Sequence, residues 1–214
     1  MQILRSSDGP QIMQALISVI QEHRAYLSEL DGAIGDGDHG INMSKGFGLA
    51  GDQLGADGYD LSVGLETLGT TLMMEIGGAM GPLYGSLFMG MAAVCEGQER
   101  IDAALFGSML QAAVDAVGDL GNAKVGDKTL MDTLIPAAEA YDAALAGGAT
   151  FAQALERMAA AAEAGKDATY DLVAQIGRAS RLGERSRGHL DAGATSCWLI
   201  LSAMAAAIQR ALVD

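Results

Sequence analysis

The chain is short of cysteine, proline, basic residues and long apolar runs, and each shortage excludes something. Two cysteines among 214 residues, Cys95 and Cys197, lie far apart among apolar neighbours. That argues against a disulfide and for two buried thiols in a reducing compartment. Three prolines supply no Pro-rich linker, and no Ser-rich or low-complexity block interrupts the chain, so residues 1–214 are read as one domain. Lys and Arg total 13 against 27 Asp and Glu, a formal net charge of -14. Such a protein repels a nucleic-acid backbone or an anionic membrane surface, and an anionic ligand must bring cations or find a local basic spot. The most apolar stretch, TSCWLILSAMAAAIQRALVD, is broken up by Ser202, Gln209 and Arg210, so no membrane span is expected. The opening MQILRSSDGP has neither the charged start nor the apolar run of a secretion signal, and a cytoplasmic protein is expected.

Alternation with period two is scarce as well, whereas Ala, Leu, Met, Gln and Glu recur throughout, so the fold class is all-α. Hydrophobic residues make up 50% of the chain, enough for one sizeable core. Ile12, Met13, Leu16, Ile17, Ile20, Leu27 and Leu30 recur at three and four, predicting one helix from Pro10 to about residue 30. Further helices are predicted near 40–54, 60–76, 82–97, 100–118, 129–147, 151–164, 166–177 and 195–212. Pro136 should kink one of them or break its hydrogen-bond ladder. Short Gly-rich connections suggest an up-and-down antiparallel bundle or a closed helical barrel. The exception is 178–194, RASRLGERSRGHLDAGA, which gathers Arg178, Arg181, Arg185 and Arg187 in an otherwise acidic chain. A loop of that length is uncommon in a compact domain unless it works on a ligand or stays disordered.

Residues 33–43 read AIGDGDHGINM, in which Gly35, Gly37 and Gly40 fall at the spacing of the dinucleotide fingerprint. That fingerprint needs a preceding strand, and here a helix precedes it. Two aspartates facing a pyrophosphate would also repel it. An EF-hand loop starting at Asp36 would need ligands at Gly40 and Phe47, which have none. What remains is D-x4-D-x-D, with Asp31, Asp36 and Asp38 as hard oxygen donors on a backbone relaxed by glycine. Magnesium takes few carboxylates and completes its shell with water and phosphate. The competing reading is that these aspartates only make turn and cap hydrogen bonds.

Three further segments invite a ligand. In GGAMGPLYGSLF, 77–88, glycines precede a helix start, which suits either phosphate binding by backbone N–H groups or close helix packing. In GDKTLMD, 126–132, Asp127 or Thr129 is a candidate helix cap. The basic loop offers Arg178 to a phosphate, and its end, Asp191-Ala192-Gly193-Ala194, leads into the last helix.

Together DGAIGDGDHGINM, GGAMGPLYGSLF, GDKTLMD and GRASRLGERSRGHLDAGATS resemble, in order and spacing, the nucleotide-binding L subunit of dihydroxyacetone kinase. The resemblance runs over nearly the whole chain. It implies a closed barrel of eight antiparallel up-and-down helices with ADP or ATP and two Mg2+ ions at one end. It puts the magnesium-binding aspartates at Asp31, Asp36 and Asp38, the residues on which catalysis depends. His39, Gly40, Ile41 and Asn42 take the place of phosphate and metal contacts. Ala79 and Met80 match a phosphate-loop pair whose second member is often Ser, so Met80 can contribute only its backbone N–H. Gly121 and Leu130 match positions lining the adenine, and Arg178, Asp191, Ala192 and Gly193 match the remaining nucleotide contacts. Where some relatives have Pro, this chain has Ala192.

The resemblance also implies partners. The ketone is held by a separate K subunit, and in one mode of the family bound ADP is rephosphorylated by a phosphohistidine M subunit of the phosphotransferase system. In the other mode ATP exchanges every cycle, as in relatives acting on ketoses such as erythrulose. A free-standing chain of this length favours the first mode. A nucleotide-loaded adaptor without catalysis and a purely structural bundle are the rival readings, and both a monomer and a homodimer remain open.

Overall fold

The pattern of apolar residues at three and four becomes nine α-helices among the residues described in the computed structural model, 2–55 and 58–213. They are α1 (Gly9–Glu22), α2 (Arg24–Ile34), α3 (His39–Leu54), α4 (Leu61–Glu75), α5 (Met80–Cys95), α6 (Ala103–Gly118), α7 (Met131–Ala146), α8 (Phe151–Ala168) and α9 (Ala192–Ala211). From α2 onward each helix packs on the next, and α9 packs also on α1 and α2. The core runs through all of them, with Leu16, Phe47, Leu68, Phe88, Leu134, Leu155 and Ile200 buried. Cys95 and Cys197 are free, buried thiols, as expected, and burial raises the pKa of both.

Several boundaries differ from the sequence reading, each for a local reason. The helix predicted from 10 to about 30 is two helices, because the His23 imidazole Nδ1 donates to the Val19 carbonyl at 2.8 Å and competes with the ladder there. The helices predicted at 151–164 and 166–177 are one helix, α8, that ends at Ala168. Gly165 does not break it, because glycine lets α8 approach the Asp132 carbonyl of α7 more closely than a Cβ would allow. That carbonyl is the one left without its ladder partner by Pro136, which sits inside α7. Past Ala168 the chain makes a single 3-10 turn, Thr169–Asp171, with the Thr169 hydroxyl donating to the Lys166 carbonyl at 2.6 Å.

The helix expected from residue 100 starts at Ala103, capped by Asp102, whose carboxylate accepts from the Leu105 N–H at 2.8 Å. Residues 100–102 instead form β2 (Arg100–Asp102), antiparallel to β1 (Ile3–Arg5) in the register Leu4 to Ile101. Strands of three residues leave no periodic signal to read. Helix α9 also departs from expectation. Despite Ser202, Gln209 and Arg210, its mean hydropathy of 1.4 makes it apolar and long enough to cross a membrane, yet 67% of that window is buried inside the protein.

In the segment 77–88 the packing reading holds at Gly85, which lies against the Gly69 carbonyl of α4, while Gly77 and Gly78 line a cavity. Gly165→Ala should lower stability by about 1–3 kcal/mol through forced separation of α7 and α8. Gly118→Ala, where a Cβ meets nothing within 4 Å, should be neutral or slightly stabilising. Urea unfolding followed by circular dichroism compares the two.

Candidate active site

Because successive helices reverse direction, α3, α5, α7 and α9 all begin at one end, and His39, Met80, Leu130 and Ala192, at or just before their starts, line one cavity of about 540 Å3. The first-turn N–H groups of a helix have no partner inside it and carry a partial positive charge. Asp38, Ala79 and Leu130, which precede α3, α5 and α7, make no cap bond with their own side chains, although the His39 N–H of α3 donates to Asp31 at 3.3 Å and the Met131 N–H of α7 donates to the Thr129 hydroxyl at 3.2 Å. At α9 the Asp191 carboxylate caps the helix, accepting from the Ala194 N–H at 2.7 Å. The cavity thus has donors suited to an anion in a protein of net charge -14.

The aspartates enter from the α2–α3 junction. Asp31 lies in the last turn of α2, and Gly37, at φ 79°, turns the chain so that Asp36 and Asp38 face back toward it. Their ligand oxygens lie within 4.8 Å of one another. Like charges at that distance repel by roughly 1 kcal/mol per pair even at the dielectric of water, so the cluster calls for a cation. Arg178 supplies one, pairing with Asp36 at the cavity mouth where both side chains are exposed. An all-carboxylate set suits magnesium or calcium over soft metals, and three ligands on one side leave room for water and phosphate.

Behind the aspartates a buried polar network joins three helices. The Tyr84 hydroxyl of α5 donates to the Gly193 carbonyl at 2.8 Å and lies 2.6 Å from the Ser196 hydroxyl of α9. Ser196 in turn lies 2.8 Å from Nε2 of His39. With Tyr84 donating to Gly193, the Ser196 hydroxyl has the Tyr84 oxygen and, at 3.2 Å, the Gly193 carbonyl to donate to, and it also meets the His39 ring. Burial lowers the His39 pKa to about 4, with Asp31 acting in the opposite direction, so the imidazole is neutral at pH 7. Its backbone N–H donates to Asp31 at 3.3 Å.

All the residues singled out by sequence line this cavity except Gly40, Ile41 and Gly121. Gly40 faces the backbone of α2 at Arg24 and Ser28, Ile41 is exposed on the outer side of α3, and Gly121 lies past the end of α6. Of the four loop arginines only Arg178 reaches the cavity, while Arg187 turns to Glu184 and the Asp171 carbonyl. The expected irregular loop carries 3-10 turns over Ala179–Ser186. In GDKTLMD the cap reading holds for Thr129, whose hydroxyl accepts from the Met131 N–H of α7 at 3.2 Å, whereas Asp127 accepts from the Lys124 N–H at 2.9 Å and Asp132 accepts from the N–H groups of Gly126 and Thr129 at 2.6 and 2.7 Å. Tyr84, Lys128 and Ser196 escaped the sequence reading, and nothing local in the sequence marks them.

An all-helical scaffold whose helix starts face one carboxylate-rimmed cavity is the class that fold and site define. The DAK2 domain family matches residues 33–206, and the chain belongs to it. Within that family it is similar to the ADP-binding subunit DhaL of PEP-dependent dihydroxyacetone kinase 2 from Listeria innocua, 38% identical over 207 residues and covering 94% of each chain. It is also similar to the ADP-binding subunit DhaL of a PTS-dependent dihydroxyacetone kinase from Lactococcus lactis, 40% identical over 178 residues, covering 83% of this chain and 84% of that one. The fold resembles the dihydroxyacetone kinase of C. freundii in its native form, with a TM-score of 0.70 at 22% identity over 92% of this chain and 34% of that one.

Asp191 gives the site a pH signature. Burial raises its pKa from 3.8 to about 6, partly offset by the Ala194 N–H and by Lys128. The folded state therefore holds the proton more tightly than the unfolded state, and the stability this contributes is full below pH 4 and lost as pH rises toward 6. Asp191→Asn keeps a cap acceptor and should remove that slope. Above about pH 6.5 the variant should be more stable than the parent by about 1–3 kcal/mol, with the gap closing near pH 4. Urea unfolding across this range in EDTA, without nucleotide, measures it.

Proposed function

We propose that this chain is the nucleotide-binding half of a two-part dihydroxyacetone kinase, passing a phosphoryl group from a bound nucleotide to dihydroxyacetone held by a separate K subunit. The observation that carries this reading is the meeting of three carboxylates and four helix starts at one cavity. Magnesium ions held by Asp31, Asp36 and Asp38, two in this reading, would neutralise charge on the phosphate oxygens and fix the line of attack.

The chain's own groups do the rest. Backbone N–H groups at the starts of α5 and α9, around Ala79, Met80 and Gly193, hold the phosphates, and Met80 contributes no hydroxyl. His39 and Asn42 border the aspartates. The neutral His39 ring is fixed by Ser196 while its N–H orients the Asp31 carboxylate. Leu130 forms an apolar wall for the base, with Gly121 beyond it and Ala192 in the turn opposite. Arg178 leaves Asp36 for the nucleotide phosphates once the aspartates have another cation.

Relatives at 38–40% identity, matched over most of their length, carry PEP or PTS in their names, which favours ADP retained as a coenzyme and rephosphorylated by a phosphohistidine M subunit. This reading goes with a cytoplasmic protein, alone or as a homodimer, and with one domain built as a closed barrel of eight antiparallel helices. The contact of α9 with α1 and α2 supports that closure.

The protein dialysed at length in magnesium should keep near-stoichiometric ADP, read by acid extraction and chromatography. An empty protein that binds ATP reversibly would point to nucleotide exchange, and no binding at all would remove the kinase reading. Asp36→Ala should fold normally and lose at least about a hundredfold in turnover with its K and M partners, since it removes a metal ligand at the reacting phosphate. Wild-type turnover in a coupled assay would refute that role.

A further inference from the structure

Lys128 is the one non-glycine residue at positive φ among the described residues, at 64°. Its side chain is buried yet borders the cavity. L side chains seldom adopt that conformation, and they keep it where the surroundings over-determine it. Here the surroundings are three backbone carbonyls. The ammonium donates to Thr169 at 2.7 Å, Leu172 at 3.2 Å and His189 at 2.5 Å, so all three of its protons are committed. It therefore has no donor left for a phosphate.

The three acceptors lie on both sides of one segment. Thr169 and Leu172 lead into residues 173–188, and His189 leads out. The neighbouring Asp127 carbonyl accepts from the Gln175 N–H at 3.1 Å, so the 127–128 turn gathers the neck of the segment from below. The free end carries Arg178, whose contact with Asp36 is an exposed ion pair, and exposed pairs hold a loop weakly. The buried and part-buried Lys128 contacts sit at the neck, and Arg178 sits beyond it at the cavity mouth.

We propose that Lys128 is a positioning residue, the buried knot that closes the neck of 173–188 and so holds Arg178 over the cavity. Its effect on ligand retention rests on the nucleotide reading given above, whereas its hold on the segment does not. Lys128→Met removes the donor that draws the Thr169, Leu172 and His189 carbonyls together, leaving the buried Thr169 carbonyl only the Leu172 N–H at 3.3 Å, and the neck opens to water. The residue acts on how long a nucleotide stays, through Arg178, and not on the transferred phosphoryl group.

The experiment is amide hydrogen exchange on the nucleotide-free full chain, paired with the dissociation rate of a fluorescent ADP analogue in magnesium. In Lys128→Met, amides of 173–188 should lose at least about tenfold in protection while those of α4, α5 and α9 keep theirs, and the analogue should leave at least about tenfold faster. Lys128→Gln, with donors for two of the three carbonyls, should fall between the variant and the parent and serves if Lys128→Met does not fold. Arg178→Gln should speed dissociation without changing protection at the neck. Protection lost throughout the chain in Lys128→Gln would reduce Lys128 to a general stabilising residue and overturn the proposal. Unchanged protection of 173–188 overturns it too, whether or not the analogue leaves faster. A parent that binds no analogue refutes the nucleotide reading, and the exchange result then judges the knot by itself.

Discussion

Backbone N–H groups in the first turn of a helix cannot bond within that helix, and this protein gathers the first turns of α3, α5, α7 and α9 around one cavity. Short connections between reversing helices make this gathering automatic, because every second helix then starts at the same end. The same geometry brings the ends of α2 and α4 there through Gly35, Gly77 and Gly78. Donors for an anion and carboxylates for a cation thus share one rim. Neither set is comfortable without a ligand of opposite sign, and a metal–phosphate pair satisfies both at once.

Such a rim works only if the helix starts keep fixed positions relative to one another. Apolar packing fixes the helices along most of their length, but it is non-directional and tolerates small slides. The Tyr84, Ser196 and His39 network adds direction at the cavity end, joining α5, α9 and α3 through bonds of 2.6 to 2.8 Å. Because these bonds are buried, moving one helix start would orphan a polar atom in a place water does not reach. The Asp31 carboxylate is drawn into the same arrangement by the His39 N–H.

The distinction between what was legible in the sequence and what was not follows from range. Helices α3 to α7 and α9 were readable because their signal is a local period, and the aspartate loop because its ligands fall within eight residues. The break at His23 was not readable, since Leu27 and Leu30 continue the apolar spacing through it and only a side-chain bond to Val19 marks the gap. Gly165 looked like a helix end, and the Asp132 carbonyl that makes it a packing site lies on another helix. The partners His39 and Ser196 are 157 residues apart, and Lys128 finds acceptors 41, 44 and 61 residues away. No window along the chain contains either arrangement. Resemblance carried most of the rim, and of the positions it named only Gly40, Ile41 and Gly121 lie off the cavity lining.

Charge at the rim bears on what has to bind there together. Four carboxylates line the cavity, Asp31, Asp36, Asp38 and Asp191, against two cations, Arg178 and Lys128, which leaves it at net -2. Lys128 is already committed to carbonyls, and Arg178 is paired with Asp36. The helix starts contribute partial charges of about half a unit each, enough to orient phosphate but spent partly on the carboxylates beside them. A bare nucleotide would therefore meet a surface of its own sign. One divalent ion would bring the lining to neutrality, and a second would make it positive. On this argument a cation and an anionic ligand would enter together, each offsetting the charge that the other meets.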